Sequence, residues 1–357
     1  MTRRTDSHRT GREKQQPDAG IAIIYVAVFL LSSLWFVSLA IDMGKLMATK
    51  TELQNAADAA ALAGASAVDP HTGIVQQDVA RARAATAAER NKAYEQNLTP
   101  VTIDPSTDVD FPAAPLPGAS RVRVYVHREA ATGNPMITHF AQSIGLLSLN
   151  VRAQATAEAR ALNSVCEGLA PFAPQQLPNG QEFSTDCDSL YVLKESAGAG
   201  TMGNYQLLRY PPCSEDSIPG NGSGGNTIRY YTEHGYGCCE VIGTMLEVET
   251  KTGNTIGPIR QGLQGRWSAD TDQRSGICYD DYTGNGKRVV ITPIIDSFVV
   301  SGTSWVKITG FAAFFLTTRP TNSGQLNITG QFIKYVAPGD FGTGNENSGV
   351  YGIHLVE

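Results

Sequence analysis

The first 165 residues of this 357-residue sequence contain no cysteine, and no C-x-x-C pair occurs anywhere in it. A structural zinc site needs deprotonated ligands in such close clusters, so the sequence predicts no zinc. No motif in it indicates another cofactor either. An excess of basic residues is also missing, since 28 Lys and Arg stand against 34 Asp and Glu. Five of those basic residues lie in the first fourteen positions: Arg3, Arg4, Arg9, Arg12 and Lys14. The remainder is therefore acidic, which argues against a nucleic-acid partner.

A catalytic constellation is missing as well. Ser223 lies in NGSGGN, but Asn221 stands where a G-x-S-x-G nucleophile turn requires glycine. His139 and His234 each lack the clustered partners that a general base requires. We therefore expect no enzymatic activity.

Residues 20–41 carry no charged side chain, and as a helix they span a hydrocarbon core of about 30 Å. The Arg and Lys cluster precedes this run, so the positive-inside rule predicts a cytoplasmic tail over 1–19 and export of 42–357. The alternative is a cleaved signal peptide, because Ser38-Leu39-Ala40 resembles a cleavage site. The run exceeds the usual apolar core of such peptides, which favours an uncleaved anchor.

No proline occurs between residues 20 and 68, and helix-forming residues dominate after the apolar run. The transmembrane helix is therefore predicted to continue to about residue 68, where Asp69-Pro70 ends it. Residues that recur seven and four positions apart form a line of mainly small side chains along one side of this extension, termed here the seam. Small side chains allow another backbone to approach closely. The seam consists of Leu46, Leu53, Ala57, Ala60, Gly64 and Ala67. It packs either on the protein's own domain or on another subunit, and the sequence leaves both open.

Residues 70–160 read as a small α+β unit. A helix is expected between Gly73 and Asn97, and RVRVYVHRE alternates as a strand with its valines on one face. MITHFAQSIG (136–145) reads as a short helix, followed by a strand that places Leu147, Leu149 and Val151 on one face. Residues 161–357 are rich in turn signals and short alternating runs, TIRYYTE among them, and predict a β-rich domain.

All the cysteines lie in this second exported region, and their even number predicts disulfides rather than free thiols. Six cysteines allow 15 pairings, which the sequence does not choose between. The adjacent Cys238 and Cys239 are expected to reach different partners. The candidate disulfide residues are Cys166, Cys187, Cys213, Cys238, Cys239 and Cys278.

Four carboxylates in ADTDQRSGICYDDYTGNGK are weak candidates for calcium: Asp270, Asp272, Asp280 and Asp281. The run departs from the regular calcium loop because Arg274 interrupts it. A solvated loop is the simpler interpretation, so no metal is predicted.

The segments AIDMG (40–44) and LQNAADAAALA (53–63) follow the apolar run in a fixed order. Together they closely resemble the N-terminal segment of the TadE/TadG-like family of Flp (tight adherence) pilus-assembly proteins. RVRVYVHREAATGNPMITHFAQSIG and LNVRAQATAEA resemble the exported region of TadG-like members, so the resemblance covers roughly residues 15–160. Tyr25 stands where processed TadE-like pseudopilins carry glutamate, which favours a TadG-like member that keeps its anchor.

The resemblance implies an α+β protein anchored by a single pass in the bacterial cytoplasmic membrane, with its domains in the periplasm. Its expected role is non-enzymatic pilus assembly or anchoring, through helix packing and the exported β domain. Its expected partners are the lipid bilayer and other pilus-assembly proteins or pilus subunits. The alternative is an exported adhesin whose C-terminal domain recognises a glycan or protein. Clustered aromatic residues motivate it: Tyr230, Tyr231, Tyr236, Trp267, Tyr279 and Tyr282.

Overall fold

The structure is a computed structural model that describes residues 19–93, 100–195, 204–216, 218, 224–248, 256–298, 305–321, 326–341 and 348–356. The predicted cytoplasmic tail lies outside these residues, apart from its last position.

One unbroken helix, α1 (Ala19–Ala65), contains both the apolar run and its extension. The predicted continuation of the helix is thus confirmed. The chain then turns at Asp69, whose carboxylate accepts hydrogen bonds from the backbone N–H groups of His71 and Thr72 at 2.9 and 2.7 Å. A shorter helix, α2 (Gln77–Glu89), follows and lies against α1.

A five-stranded sheet covers the second half of α1. Its central pair, β2 (Ser120–Arg128) and β5 (Val151–Ala161), is antiparallel over nine residue pairs. The short β1 (Val109–Asp110) extends it on one side. The predicted alternation in β2 is confirmed, because Val122, Val124 and Val126 are fully buried.

Alanine side chains of α1 pack in the same core as alanine side chains of β5, where the helix crosses this sheet. Ala56, Ala57, Ala60 and Ala61 on the helix are fully buried, and β5 turns Val151 and four alternate alanines into the same core. A Cβ on Gly64 would come within 2.8 Å of Val122 Cγ1, so helix and sheet approach more closely there than any larger residue permits. Small side chains on both surfaces therefore set the short distance between the layers.

Residues 136–149 differ from the sequence-based expectation. They form a hairpin, termed here the docked hairpin, of β3 (Met136–Ile137) paired with β4 (Ser148–Leu149). A short 3₁₀ helix at Ala141–Ile144 lies between them. The predicted common face was wrong at Leu147, which is 67% exposed, because the hairpin turns this residue away from the core that Val151 enters.

The C-terminal part is β-rich, as predicted, and contains two packed helices, α3 (Gly225–His234) and α4 (Ile256–Ala269). Its strands in chain order are β6 (Ser164–Cys166), β7 (Phe172–Pro174), β8 (Tyr191–Glu195), β9 (Asn204–Arg209), β10 (Cys239–Val241), β11 (Met245–Val248), β12 (Val289–Ile295), β13 (Trp305–Leu316), β14 (Asn327–Ile333) and β15 (Tyr335–Val336). The pairings β11–β13–β14–β8–β9–β11 close a ring. Between β6 and β10, a separate two-stranded ladder forms.

The strand expected at TIRYYTE was wrong, since these residues form most of α3. Aromatic and β-branched residues favour a strand. However, Tyr231 and Thr232 are buried while Ile228 packs on the same side, a spacing of three to four that fits one face of a helix. Packing of this face against the rest of the domain overrides the local preference.

The last strand, β16 (Val350–Val356), returns to the first sheet and pairs antiparallel with β5 over Tyr351 to Val356. The parallel pair β15–β16 extends that sheet further. The domain boundary placed at residue 160 remains a prediction, and the first sheet draws strands from both sides of it.

Candidate functional site

Helix α1 has two halves with opposite surroundings. From Ile21 to Leu39 its large apolar side chains are more than half exposed, whereas the core-facing residues of the second half are fully buried, namely Leu53, Ala56, Ala57, Ala60, Ala61 and Ala65. Within the described ranges, α1 is the one helix long and apolar enough to cross a membrane. The first half therefore fits a membrane anchor, and the second half is a core element of the protein.

The predicted packing seam lies inside the protein. Leu53, Ala57, Ala60 and Ala67 are at most 3% exposed, and Leu46 packs at the edge of the same core. Gly64 faces Val122 of the sheet and Ala84 of α2. Of the two alternatives that the sequence left open, these contacts correspond to packing on the protein's own domain. A contact with another subunit along this seam would require the domain to be displaced.

Asp42 lies where the two halves of α1 meet, and its carboxylate is 3% exposed. One oxygen accepts the backbone N–H of His139 at 3.0 Å, and the other accepts those of Phe140 and Ala141 at 3.0 and 2.7 Å. The N–H groups of Phe140 and Ala141 stand at the start of the 3₁₀ helix of the docked hairpin, where the helix itself offers no acceptor. Asp42 therefore fastens the hairpin to the end of the apolar half of α1.

The turn after α1 joins the two parts of the protein. His71 Nδ1 lies 2.9 Å from the Thr185 carbonyl oxygen, and its Nε2 lies 2.9 Å from Asp280 Oδ1. Because both neighbours are acceptors, both hydrogen bonds form only when the ring carries two protons. Burial works to lower the pKa of His71, but the hydrogen bond and charge of Asp280 outweigh it and raise the pKa above its usual value.

The four aspartates proposed as weak calcium ligands do not converge. Asp270 accepts hydrogen bonds from the Tyr282 hydroxyl and from the backbone N–H of Arg288, the latter at 3.1 Å. Asp272 receives the guanidinium of Arg274 at 2.9 and 2.6 Å. Asp280 faces His71, and Asp281 is exposed. The buried carboxylate oxygens of Asp270 and Asp272 thus accept hydrogen bonds from donors of the protein itself. These hydrogen bonds connect loops of the C-terminal domain.

All six cysteines form disulfides, and the adjacent pair reaches two partners as predicted. Cys238 bonds Cys213, and Cys239 bonds Cys166. The third bridge joins Cys187 to Cys278, next to the contacts of His71 with Thr185 and Asp280. This third disulfide therefore fastens together the two loops that receive the turn after α1.

Three of the aromatic residues that motivated the adhesin alternative are core residues. Tyr231, Tyr236 and Trp267 are at most 5% exposed, and Arg288 lies 4.0 Å over the Trp267 ring. A different aromatic residue, Trp305, is 59% exposed. It lines a cleft of about 810 Å³ together with Tyr210, Tyr231, Asp216, Glu240 and Glu247.

Glu240 is the unusual group in this cleft, because its side chain is only 4% exposed. Burial raises the pKa of Glu240 to about 7. Sequence reasoning missed it, since a lone glutamate after a cysteine pair carries no local signal. The AIDMG segment contains Asp42, whose role the sequence alone does not predict; the available signal is that it is the first charge after a long apolar run.

Comparison with known proteins gives a family match for the residues of helix α1. Residues 20–67 match the Tad family model, described as Flp pilus-assembly TadE/G-like. The match covers the anchor, Asp42 and the buried half of α1, which confirms the resemblance noted for AIDMG and LQNAADAAALA. No curated protein and no solved structure matches the chain.

Proposed function

Since residues 20–67 form a TadE/G-like segment, we propose that this chain is a single-pass membrane protein that assembles or anchors an Flp-type pilus without catalysing a reaction. The N-terminus lies in the cytoplasm and the region after residue 41 in the periplasm. This orientation rests on the basic residues that precede the apolar run.

The observation that carries the proposal is the continuity of α1. The same helix has an exposed apolar half and a half buried in the core of the folded domain. Helices transmit displacement along their axis when their backbone hydrogen bonds are unbroken, and α1 contains no proline. A force on the domain would therefore reach the membrane directly, as an anchoring role requires.

Contacts with other assembly proteins are then expected in the membrane rather than along the buried seam. Phe36 and Tyr25 are 74% and 72% exposed and belong to no core cluster of the described residues. A photo-crosslinking amino acid at either position in the native cell should capture other pilus-assembly proteins. The matched control is Ile74, which is 58% exposed on the domain at the far end of α1.

Surface piliation is the functional readout. Deleting the gene should abolish or strongly reduce surface pili, and the wild-type chain should restore them. Normal piliation without the chain would refute the proposal. Labelling of cysteines introduced before and after the apolar run tests the orientation independently.

The second candidate is a surface-binding module, and the cleft around Trp305 favours it. An exposed tryptophan beside buried tyrosines and acidic groups offers a flat apolar ring and acceptors, which sugars and basic peptides both use. The full chain in lipid nanodiscs should then bind a glycan or peptide array, and Trp305→Ala should abolish the binding. Leu190→Ala is the control, because Leu190 is 50% exposed in the same C-terminal part and does not line this cleft. Absence of any binding by the wild-type chain would refute this candidate.

A further inference from the structure

The docked hairpin belongs to a long segment without formal charge. No Asp, Glu, Lys or Arg occurs between Glu129 and Arg152. Charged residues surround this segment on the strands that lead to and from it, for example Arg128 and Arg152. A surface loop in water normally carries such residues. The composition of the hairpin therefore resembles that of a segment that leaves water.

Its apolar side chains are turned outward. Ile137 is 50% exposed, Phe140 43%, Leu146 48% and Leu147 67%. These four exposed apolar residues within eleven positions are termed here the patch, and such a concentration is informative where scattered single residues would not be. The same segment sends Met136 into the core with no exposure, so its buried and exposed faces are distinct.

The patch continues the surface of the anchor. Asp42 holds the hairpin at the end of the apolar half of α1 through three backbone N–H groups. His139, Phe140, Ala141 and Ser143 then line one cleft of about 770 Å³ with Trp35, Leu39 and other residues of the anchor. The hairpin thus lies beside the last turns of the apolar half of α1, the half that fits a membrane span.

We propose that the docked hairpin inserts Phe140, Leu146 and Leu147 into the lipid leaflet on the domain's side, with acyl chains filling the cleft against α1. This inference rests on the proposed membrane anchoring. Lipid is the occupant because the exposed surface is continuous with a helix face that must itself meet lipid, and because no charge interrupts it. Trp35 belongs to a residue type enriched at the membrane interface, and phenylalanine and leucine side chains bury at the boundary between headgroups and acyl chains. Asp42 then fixes the depth and orientation of the domain, since it joins a second membrane contact to the anchor.

The test uses the full chain reconstituted in nanodiscs, one copy per disc, with phospholipids brominated on their acyl chains, which quench tryptophan on contact. The background variant is Trp35→Phe, and Phe140→Trp places the reporter in the hairpin. The control is Ile74→Trp, which follows the far end of the buried half of α1, about 35 Å of helix beyond Asp42. Trp267 and Trp305 are common to both variants and are subtracted with the background protein.

We expect the Phe140→Trp reporter to lose most of its emission in brominated lipid and the Ile74→Trp reporter to keep its emission. Adding Asp42→Ala to the Phe140→Trp variant should restore much of the lost emission, because the hairpin is released. Equal emission of the two reporters in brominated and ordinary lipid would overturn the inference. So would quenching of Phe140→Trp that requires two copies per disc, since the occupant would then be a second chain.

Trp35 separates this inference from the proposed anchoring. In the otherwise unchanged chain, Trp35 should be quenched strongly. If Trp35 is quenched and Phe140→Trp is not, the anchor stands and the hairpin inference fails. If neither is quenched, the anchoring itself fails.

Discussion

Replacing Asp42 with alanine should release the docked hairpin without unfolding the domain. The carboxylate is the acceptor for three consecutive backbone N–H groups, and these groups belong to a segment about a hundred residues further along the chain. The β3–β4 pairing and the β2–β5 ladder do not involve Asp42. The predicted effect is therefore local.

The size of the effect follows from the groups left without an acceptor. Removing a capping carboxylate costs about 0.5–2 kcal/mol. Leaving a buried N–H unsatisfied costs about 1–3 kcal/mol, and Ala141 is the most buried of the three residues. Water can satisfy the N–H groups of His139 and Phe140 once the hairpin is released, and alanine improves the helix propensity of α1 by about 0.7 kcal/mol at most. The net loss is about 2 kcal/mol, which corresponds to a roughly 30-fold increase in the open population.

Hydrogen exchange of the full chain in nanodiscs measures this directly. The amides of residues 139–141 should lose about 30-fold in protection, by the conversion of 1.4 kcal/mol per factor of ten. Those of Val122 and Val124 should not change. Asp58→Ala is the matched control, because Asp58 lies on the same helix and accepts its hydrogen bond from Gln54 of that helix, at 2.8 Å. Unchanged protection at 139–141 in Asp42→Ala would refute the reasoning.

Three further predictions concern packing and pH. Gly64→Leu should destabilise the full chain by about 1–3 kcal/mol through overpacking against the sheet, seen as a lower melting temperature in detergent, whereas Gly44→Leu meets no atom within 4 Å and should not. His71 has a raised pKa beside Asp280, so its contribution to stability should be complete below pH 6.5 and should be lost as the pH rises through its folded-state pKa. His71→Gln should remove that part of the pH dependence of urea unfolding. Identical stability–pH profiles of the variant and the wild type would contradict this prediction. Glu240, with a pKa of about 7 in the fold against 4.5 for the ordinary group, should destabilise the protein as pH rises from 4.5 to 7. Glu240→Gln should flatten that decline, and a variant less stable than wild type at pH 8 would contradict the account.

Several elements could be read from the sequence because local information determines them. The unbroken helix Ala19–Ala65 follows from an uncharged run and from the absence of proline, and the alternating valines of β2 follow from the twofold period of a strand. The divergence of Cys238 and Cys239 to different partners also follows locally, because adjacent cysteines rarely bond each other. These features depend on neighbours a few residues apart.

Other elements escaped sequence reasoning because distant contacts decide them. TIRYYTE has strand-forming residues but forms α3, since its buried face packs on the domain and on α4. The docked hairpin takes its position beside α1 from an aspartate at position 42 that supplies acceptors to residues 139–141. The return of β16 to pair with β5 joins the end of the described chain to its first sheet, and no spacing in the sequence announces that pairing.

The sequence by itself determined that the chain contains a long apolar helix, that this helix continues as an alanine-rich segment, and that a β-rich domain with disulfide bonds follows. These conclusions rest on composition and period, which report burial and secondary structure one segment at a time. Only the tertiary structure decided what the alanines touch: an alanine-rich strand of the same chain, at a distance that larger side chains would forbid. It also decided that Asp42 fastens a hairpin beside the anchor and that the His71 ring donates hydrogen bonds to two acceptors, Thr185 and Asp280. Such contacts arise when residues far apart in the chain are folded together.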